Sequence, residues 1–315
     1  MKVKKEEKTP VPGVFKTGSI GLIGRPNVGK STLLNRILGE KLAIVSDKPQ
    51  TTRNRILGIR TDPDAQFLLI DTPGLHKPKS KLNESMVRNA VNVILEADLI
   101  FLLMEMGKKG LAMDADLVEF VRKDQKKGAQ DQGKPIFLVI TKADLVSREE
   151  LLPVIGEITR THSFNEIIPV SASKNENIDH LMNVAKAYLP EGPPLFPEDE
   201  YTDQPLRFIA AEVIREKIIQ KVYQEVPYSV AVKIETYEEK PEKNQVSIKA
   251  VIYVDRASQK GILIGRRGES LKKIGTEARL ELEKIIGRKV YLETWVEVSE
   301  NWKNNDQILK SLGYE

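Results

Sequence analysis

Cysteine is absent from the chain and histidine nearly so, with three in 315 residues. The first absence excludes disulfides and thiolate metal sites. The second leaves His76, His162 and His180 scattered along the sequence, so they read as surface or packing residues and not as a ligand cluster. No apolar run reaches the roughly 18 residues that a membrane span needs. The longest, Asp98 to Met104, is strand-sized. No apolar signal core follows the charged start Met1-Lys2-Val3-Lys4-Lys5-Glu6-Glu7. Residues 1–16 are therefore expected to form a disordered tail, and the protein is read as cytoplasmic. A one-sided charge is missing too: 49 Lys and Arg stand against 45 Asp and Glu, a net +4. A balance so mild says little about nucleic acid, and only the distribution of charge is informative.

What is present is length for about two domains, each with enough chain to bury a core, and one dominant stretch. Gly24-Arg25-Pro26-Asn27-Val28-Gly29-Lys30-Ser31 follows the apolar segment Ser19 to Ile23 and precedes a predicted helix from Thr32 to Leu38, with Gly39 as its stop. Strand, glycine loop and helix in that order make a P-loop. Its glycines let backbone N–H groups turn toward phosphate oxygens, and the helix N-terminus adds partial positive charge behind them. Lys30 then reaches the β- and γ-phosphates and Ser31 ligates Mg²⁺.

Further loops fall at predicted strand ends. Ile56 to Arg60 and Gln66 to Ile70 read as strands joined at Asp62-Pro63-Asp64, and the second runs into Asp71-Thr72-Pro73-Gly74. An acid and then a glycine at a strand end is where P-loop enzymes hold the metal and sense the γ-phosphate. Asp71 is expected to act on Mg²⁺ through water, and the Gly74 N–H to face that phosphate. Beyond it, helices over Leu82 to Glu96, Leu111 to Arg122 and Ile178 to Leu189 alternate with strands over Asp98 to Met104, Pro135 to Ile140 and Ile167 to Val170. A further helix is placed between the last two strands. The alternation predicts a mostly parallel α/β sheet flanked by helices, with ligands at the strand C-termini. Thr141-Lys142-Ala143-Asp144 and Ser171-Ala172-Ser173 sit at two such ends. A carboxylate at Asp144 accepts two hydrogen bonds from the N1–H and 2-amino group of guanine, which adenine lacks there. Lys142 is placed across the base, and the Ala172 N–H on the guanine oxygen.

This ordered set resembles a small GTPase domain. Gly-Arg-Pro-Asn-Val-Gly-Lys-Ser with Gln50-Thr51-Thr52-Arg53 and Asp71-Thr72-Pro73-Gly74-Leu75 is similar to the Era family of ribosome-assembly GTPases. The resemblance implies that Thr52, with Thr51 as second choice, closes onto Mg²⁺ in the GTP state, making residues 47–54 and 75–83 the two switches. Lys30, Thr52 and Gly74 are then the catalytic group. Leu75 stands where Ras-like enzymes carry a water-positioning Gln, so intrinsic hydrolysis is expected to be slow. Asn27 is where relatives recruit K⁺ near the phosphates. Two departures stand out: Thr141, where Asn is commoner, and the polar stretch Lys123 to Lys134, read as a surface loop extension without bearing on the chemistry.

Residues 190–204 are proline-rich and acidic and read as a semi-rigid connector. No second P-loop and no internal repeat follow. In the remaining part, 205–315, an amphipathic helix is predicted from Pro205 to Tyr223, strands over Ser229 to Tyr237 and Val246 to Val254, and a short helix from Lys260 to Ile264. The glycine loop Gly265-Arg266-Arg267-Gly268 comes next, then a long helix from Glu269 to Ile286 and a strand from Val290 to Val298. This α-β-β-α-α-β order with Gly-x-x-Gly between helices resembles a type II KH domain, whose loop clamps about four nucleotides of single-stranded RNA. Arg266 and Arg267 supply charge, and Lys272 and Lys273 extend the basic rim. Ile264 and Ile274 are assigned to the core or groove floor. Trp295 and Trp302 are both able to stack bases, with packing preferred for Trp295.

The pairing of a 17–189 GTPase domain with a 205–315 KH domain implies a GTP-hydrolysing protein that binds the 3′ end of 16S ribosomal RNA in 30S subunit maturation. GTP, GDP and Mg²⁺ are its ligands. The chain is read as a monomer, and the resemblance extends to it a peripheral contact with the inner face of the cell membrane. The alternatives are a nucleotide-gated RNA chaperone with negligible turnover, which Leu75 keeps open, and an ATP-using RNA enzyme, which requires Asp144 to have another role.

Overall fold

The computed structural model describes residues 14–48, 50–107, 110–111, 114–125 and 133–314. Its larger sheet is built from β1 (Lys16–Gly24), β2 (Ile56–Asp62), β3 (Ala65–Asp71), β4 (Leu99–Gly107), β6 (Ile136–Thr141) and β7 (Glu166–Pro169), in the spatial order β2-β3-β1-β4-β6-β7. A two-residue strand, β5 (Gly110–Leu111), pairs with β4. Among the described residues only β2 and β5 run antiparallel to the rest of this sheet. The central strands read as continuous apolar runs because helices cover both faces. Those helices are α1 (Lys30–Leu38), α2 (Lys81–Glu96), α3 (Ala115–Gln125), α4 (Arg148–Thr161) and α5 (Ile178–Tyr188).

Local chemistry fixes their ends. Gly39 stops α1 in the left-handed conformation. The Ser80 side chain caps α2, and Ser147 with Glu150 forms a capping box on α4. The predicted helix from Leu111 starts later, at Ala115, since Leu111 is drawn into β5. Lys123 to Gln125 belong to α3, and the rest of the polar stretch lies mostly outside the described residues. Of the expected tail, residues 1–13 lie outside the described residues as well. Lys16 is already in β1, opposite Ala65, and the Phe15 carbonyl accepts from Gly192 N at 3.0 Å.

The second half follows the predicted order. It comprises α6 (Leu206–Lys221), β8 (Ala231–Lys240), β9 (Gln245–Val254), α7 (Ala257–Ile264), α8 (Glu269–Ile286) and β10 (Lys289–Val298), with sheet order β10-β9-β8. Strand β10 runs parallel to β9 and β8 antiparallel. A short α9 (Asp306–Ser311) follows; its six residues carry too little period to have been predicted.

The connector, read as semi-rigid, is fastened to the first half. Pro190 O, Pro193 O, Phe196 O and Tyr201 O accept hydrogen bonds from Thr17 N, Thr17 Oγ1, Gln66 Nε2 and Ile59 N, which straps the segment along β1, β3 and β2. The helix predicted to be amphipathic, α6, is instead buried over most of its surface. Glu212, Arg215, Glu216 and Lys217 are all buried, covered by the segment that follows α1. One cluster of buried apolar side chains extends from Leu22 and Phe101 of the larger sheet to Ile214, Ile248 and Ile274 of the smaller half.

Candidate nucleotide and RNA sites

The residues of the glycine loop turn from β1 into α1. Asn27 and Gly29 both have positive φ, and Gly29 caps α1 without a side-chain hydrogen bond. The first N–H groups of the helix are thus left for an external acceptor. Lys30 is buried, its ammonium donating to Gly24 O at 3.1 Å and Arg25 O at 2.9 Å. Burial lowers its pKa to about 8, against the charge of Asp71, which holds it up. The Arg25 guanidinium turns away to a bidentate pair with Asp114, at 2.5 and 3.0 Å, and to Leu75 O at 3.1 Å. Pro26 packs on Gly74: a Cβ at position 74 would lie 2.5 Å from Pro26 N and 2.7 Å from its Cα, so the approach of the two loops requires glycine.

Behind the loop three oxygen-bearing side chains converge. Ser31 Oγ donates to Asp71 Oδ2 at 2.6 Å, and Thr52 Oγ1 lies 2.9 Å from Ser31 Oγ and 3.3 Å from Asp71 Oδ2. Asp71 is fully buried, which pushes its carboxyl above the ordinary range, although Lys30 and the two hydroxyls oppose the shift. Its Oδ1 is buried without a partner. A carboxylate with an open lone-pair site beside two hydroxyls is an all-oxygen donor set of the kind a hard divalent cation takes, so these residues fit Mg²⁺. Thr72 Oγ1 donates to Leu22 O at 2.7 Å and anchors the segment. Leu75 is buried among Ile23, Ala90 and Leu102, so no polar side chain stands at that position. His76, which sequence reasoning set aside, links the two segments expected to be switches: Nδ1 is 2.7 Å from Gly74 O and Nε2 is 3.2 Å from Gln50 Nε2. Its only sequence signal was proximity to Gly74.

Pro26, Gly29, Lys30, Ser31, Thr52 and Gly74 line a cavity of about 410 Å³ that also takes in Asn27, Asp47, Gln50, Thr51 and Lys142, with Asp71 behind Ser31 and Thr52. The Asn27 amide donates to Asp47 O. Thr141 Oγ1 donates to Val28 O at 2.7 Å and lies 3.2 Å from Met104 O, so the residue that departs from the commoner Asn still ties the end of β6 to the glycine loop. Lys142 takes positive φ and pairs with Glu105 at 2.8 Å. Asp144 lies half-buried in the turn that follows, held because Ala143 N donates to Val170 O. Ser171 is fully buried, and Ala172 O accepts from Arg36 of α1 at 2.7 Å. Asp144, Ser171 and Ala172 flank the cavity's Lys142 end without forming its wall.

A second concavity of about 620 Å³ runs between α8 and β10. Gly265 and Gly268 take φ 71° and 80°, and Arg267 between them takes φ 49°. Gly268, Leu271, Lys272, Arg279, Leu292 and Trp295 line this groove. Arg266, Arg267 and Lys273 are exposed but do not line it. Arg279 was missed, although it stands on one helical face with Lys272 and Thr276. The two tryptophans exchange their expected parts. Trp302 is fully buried, donating Nε1 to Ser229 O at 3.0 Å, while Trp295 is half-exposed in the groove. Ile274 is in the core, as expected.

Comparison with known proteins agrees with this division. The model of a family described as 50S ribosome-binding GTPase matches residues 19–142, and that of the KH domain matches residues 225–303. GTPase Era of Ruminiclostridium cellulolyticum is 46% identical over 301 residues, covering 96% of this chain and 98% of that protein. The crystal structure of a point variant of Aquifex aeolicus Era bound to GDP·AlF4⁻ superposes with a TM-score of 0.89 at 42% identity, over 95% of this chain and 99% of the other. Era in complex with MgGDPNP and nucleotides 1506–1542 of 16S ribosomal RNA gives 0.87 at 42% identity, with the same coverage.

Proposed function

This chain belongs to the Era family of GTPases, and from that premise we propose that it acts in 30S ribosomal subunit maturation, joining GTP hydrolysis to a clamp on the 3′ region of 16S ribosomal RNA. The family's reaction is hydrolysis of GTP to GDP and phosphate, with Mg²⁺ as companion ion. In our reading residues 17–189 carry the nucleotide, 190–204 link the halves and 205–315 carry the RNA. The observation that bears most weight is the buried Asp71 with its unpartnered Oδ1, set against Ser31 and Thr52 beside the buried Lys30.

Each residue has a task in this scheme. The loop from Gly24 to Ser31 cradles the phosphates, with Lys30 as the desolvated cation that meets their charge. Ser31, Thr52 and Asp71 would hold the metal, and bound Mg²⁺ would offset charge developing on the phosphate oxygens. The Gly74 N–H faces the terminal phosphate, and Pro26 packed on Gly74 keeps water out from that side. Asp144 reads the guanine edge, Lys142 covers the base and Ala172 donates to its oxygen. Asn27, turned toward the Asp47 carbonyl, marks the place for K⁺. Leu75, sunk in the core, leaves the attacking water to be oriented by other groups, which makes the unstimulated rate slow.

The RNA half of the proposal rests on the groove beneath Gly268 and on the relative solved with nucleotides 1506–1542 of 16S RNA. The match described by 50S binding covers only residues 19–142 and so does not bear on which RNA the groove takes. The work we assign is cytoplasmic. No helix among the described residues is long and apolar enough to cross a membrane, so any membrane contact made through them would be peripheral.

The test is multiple-turnover phosphate release from GTP and from ATP, with and without an oligonucleotide of the 16S 3′ end. The expected result is turnover of GTP alone, faster with RNA. Equal use of ATP would remove the Asp144 assignment. GTP binding without turnover, with or without RNA, would favour the chaperone reading that the buried Leu75 supports.

A further inference from the structure

Thr52 sits between two residues that are held from the other half of the molecule. The carbonyl of Thr51 accepts from Arg215 Nη2 of α6 at 2.5 Å. The side chain of Arg53 is buried in the second half: Nη1 donates to Val230 O at 2.6 Å, and the guanidinium lies 5.6 Å from the ring centre of Trp302 and 5.8 Å from that of Tyr314. Along residues 51–53 the successive contacts thus go to α6, to the Ser31–Asp71 cluster and to the second half. None of the three has regular secondary structure to hold it.

The rest of this loop is held in the same way. Lys41 pairs with Glu216 and Glu281 at 2.6 and 2.5 Å, Val45 N donates to Glu216 Oε1 at 3.4 Å, and Lys48 donates to Ile219 O and Val222 O while lying over the Tyr223 ring. From its own half the segment receives Asn35, which bonds Leu42 and Ala43, Asn27, which donates to Asp47 O, and His76 beside Gln50; none of these touches residues 51 or 53.

Stability does not explain the two arginines. Arg215 is fully buried with Glu212 as its close carboxylate, at 2.9 and 2.6 Å, and its Nη1 has no partner; Arg53 Nε has none either. A buried guanidinium pair of this kind is weak evidence for stability, since an apolar filling of the same volume is often as stable or more so. What the arrangement supplies is geometry: forked, rigid donors fix a backbone carbonyl better than a lysine or a methionine could.

We propose that Arg215, supported by Arg53, is a positioning residue for GTP hydrolysis. It fixes the backbone beside Thr52 so that the hydroxyl stays against Ser31 and Asp71, and the second half thereby completes the nucleotide site. The inference rests on the reading of Thr52 as a metal ligand.

The test is a double-mutant cycle in the full-length chain, with Arg215→Met, Thr52→Ala and the pair, reading kcat, the Mg²⁺ concentration at half-maximal rate, and GDP affinity. Misplacing a reacting group by an ångström costs up to about 100-fold, so Arg215→Met is expected to lower kcat by about 10-fold or more and to raise the Mg²⁺ requirement. GDP affinity, which depends on the glycine loop, is expected to stay within about 2-fold, and on the Thr52→Ala background Arg215→Met is expected to add less than about 2-fold. Arg215→Lys, which keeps a donor, is expected to recover part of the rate. If Arg215→Met lowers the melting temperature, Arg215→Lys and Arg53→Lys carry the same cycle. Multiplying effects of the Arg215 and Thr52 changes, or an unchanged Mg²⁺ requirement in the Arg215 variants, would overturn the proposal while leaving Thr52 as a ligand. A Thr52→Ala chain with normal turnover and Mg²⁺ requirement would overturn it by removing the reading beneath it.

Discussion

The molecule carries two glycine loops, each leading into a helix, and they are built in opposite ways. In the loop from Gly24 to Ser31 the cation, Lys30, is buried under carbonyl oxygens, and the neighbouring Gly74 touches Pro26 so closely that no Cβ fits. In the loop from Gly265 to Gly268 the cations Arg266 and Arg267 are exposed, and a Cβ on Gly268 would meet nothing within 4 Å. The first loop is shaped to enclose a compact anion in a desolvated place. The second lies open beside a groove where a polymer backbone can pass. Glycine itself serves both loops alike: Gly24 and Gly265 stand where a Cβ would come within 3 Å of a neighbour, while Gly29 and Gly268 supply positive φ with room around them.

The sharpest way to stress that contrast is charge removal. Truncating one partner of a buried, hydrogen-bonded charge pair costs about 2–5 kcal/mol, or roughly 30- to 4,000-fold. Lys30→Ala is therefore expected to lower kcat/KM for GTP within that range, whereas Arg267→Ala, at an exposed position, is expected to change RNA affinity by no more than about 5-fold. Comparable losses in nucleotide turnover and RNA filter binding would erase the distinction.

Bulk separates the loops next. Gly74→Ala must displace the Pro26 backbone, and turnover is expected to fall by about 10-fold or more. Gly268→Ala meets only the strain of φ 80°, about 1 kcal/mol, seen as a lower melting temperature with RNA affinity nearly kept. Gly268→Asp adds length and a negative charge at the groove and is expected to abolish RNA binding without touching GTP affinity. Loss of both affinities would point to misfolding instead. The smallest expected effect belongs to the ion near Asn27: turnover measured in K⁺ should exceed that in Na⁺, and equal rates would remove K⁺ from the scheme.

What was legible in the sequence was whatever depends on neighbours along the chain. The apolar runs of the central strands, the glycine stop of α1, both glycine loops and the bounds of α8 are local signals, and the structure places these elements where the pattern did. What escaped depends on groups far away in sequence. Glu212, Arg215, Glu216 and Lys217 look like the solvated face of a helix until the loop that follows α1 covers them. Trp302 was open to base stacking because nothing nearby announces that Arg53 and Tyr314 surround it. His76 looked like a surface residue because its partners, Gly74 O and Gln50, meet only when the two segments expected to be switches fold together. Asp71 gave itself away by its strand-end position, yet its unpartnered oxygen is visible only in three dimensions.

The fully buried Gln66 has a reach beyond its own strand. Its side chain accepts from Leu195 N and Phe196 N and donates to Phe196 O, so it works as a buckle on the passing chain. A floppy leash would let one half wander and find the other again by diffusion, at a local concentration set by leash length. A buckled strap removes that search. Flexible residues spliced in after Gln204, past the buckle, would therefore slacken the last step into α6, while the same residues spliced in before Leu195 would loop out and leave that step as it is, as long as the buckle stays closed.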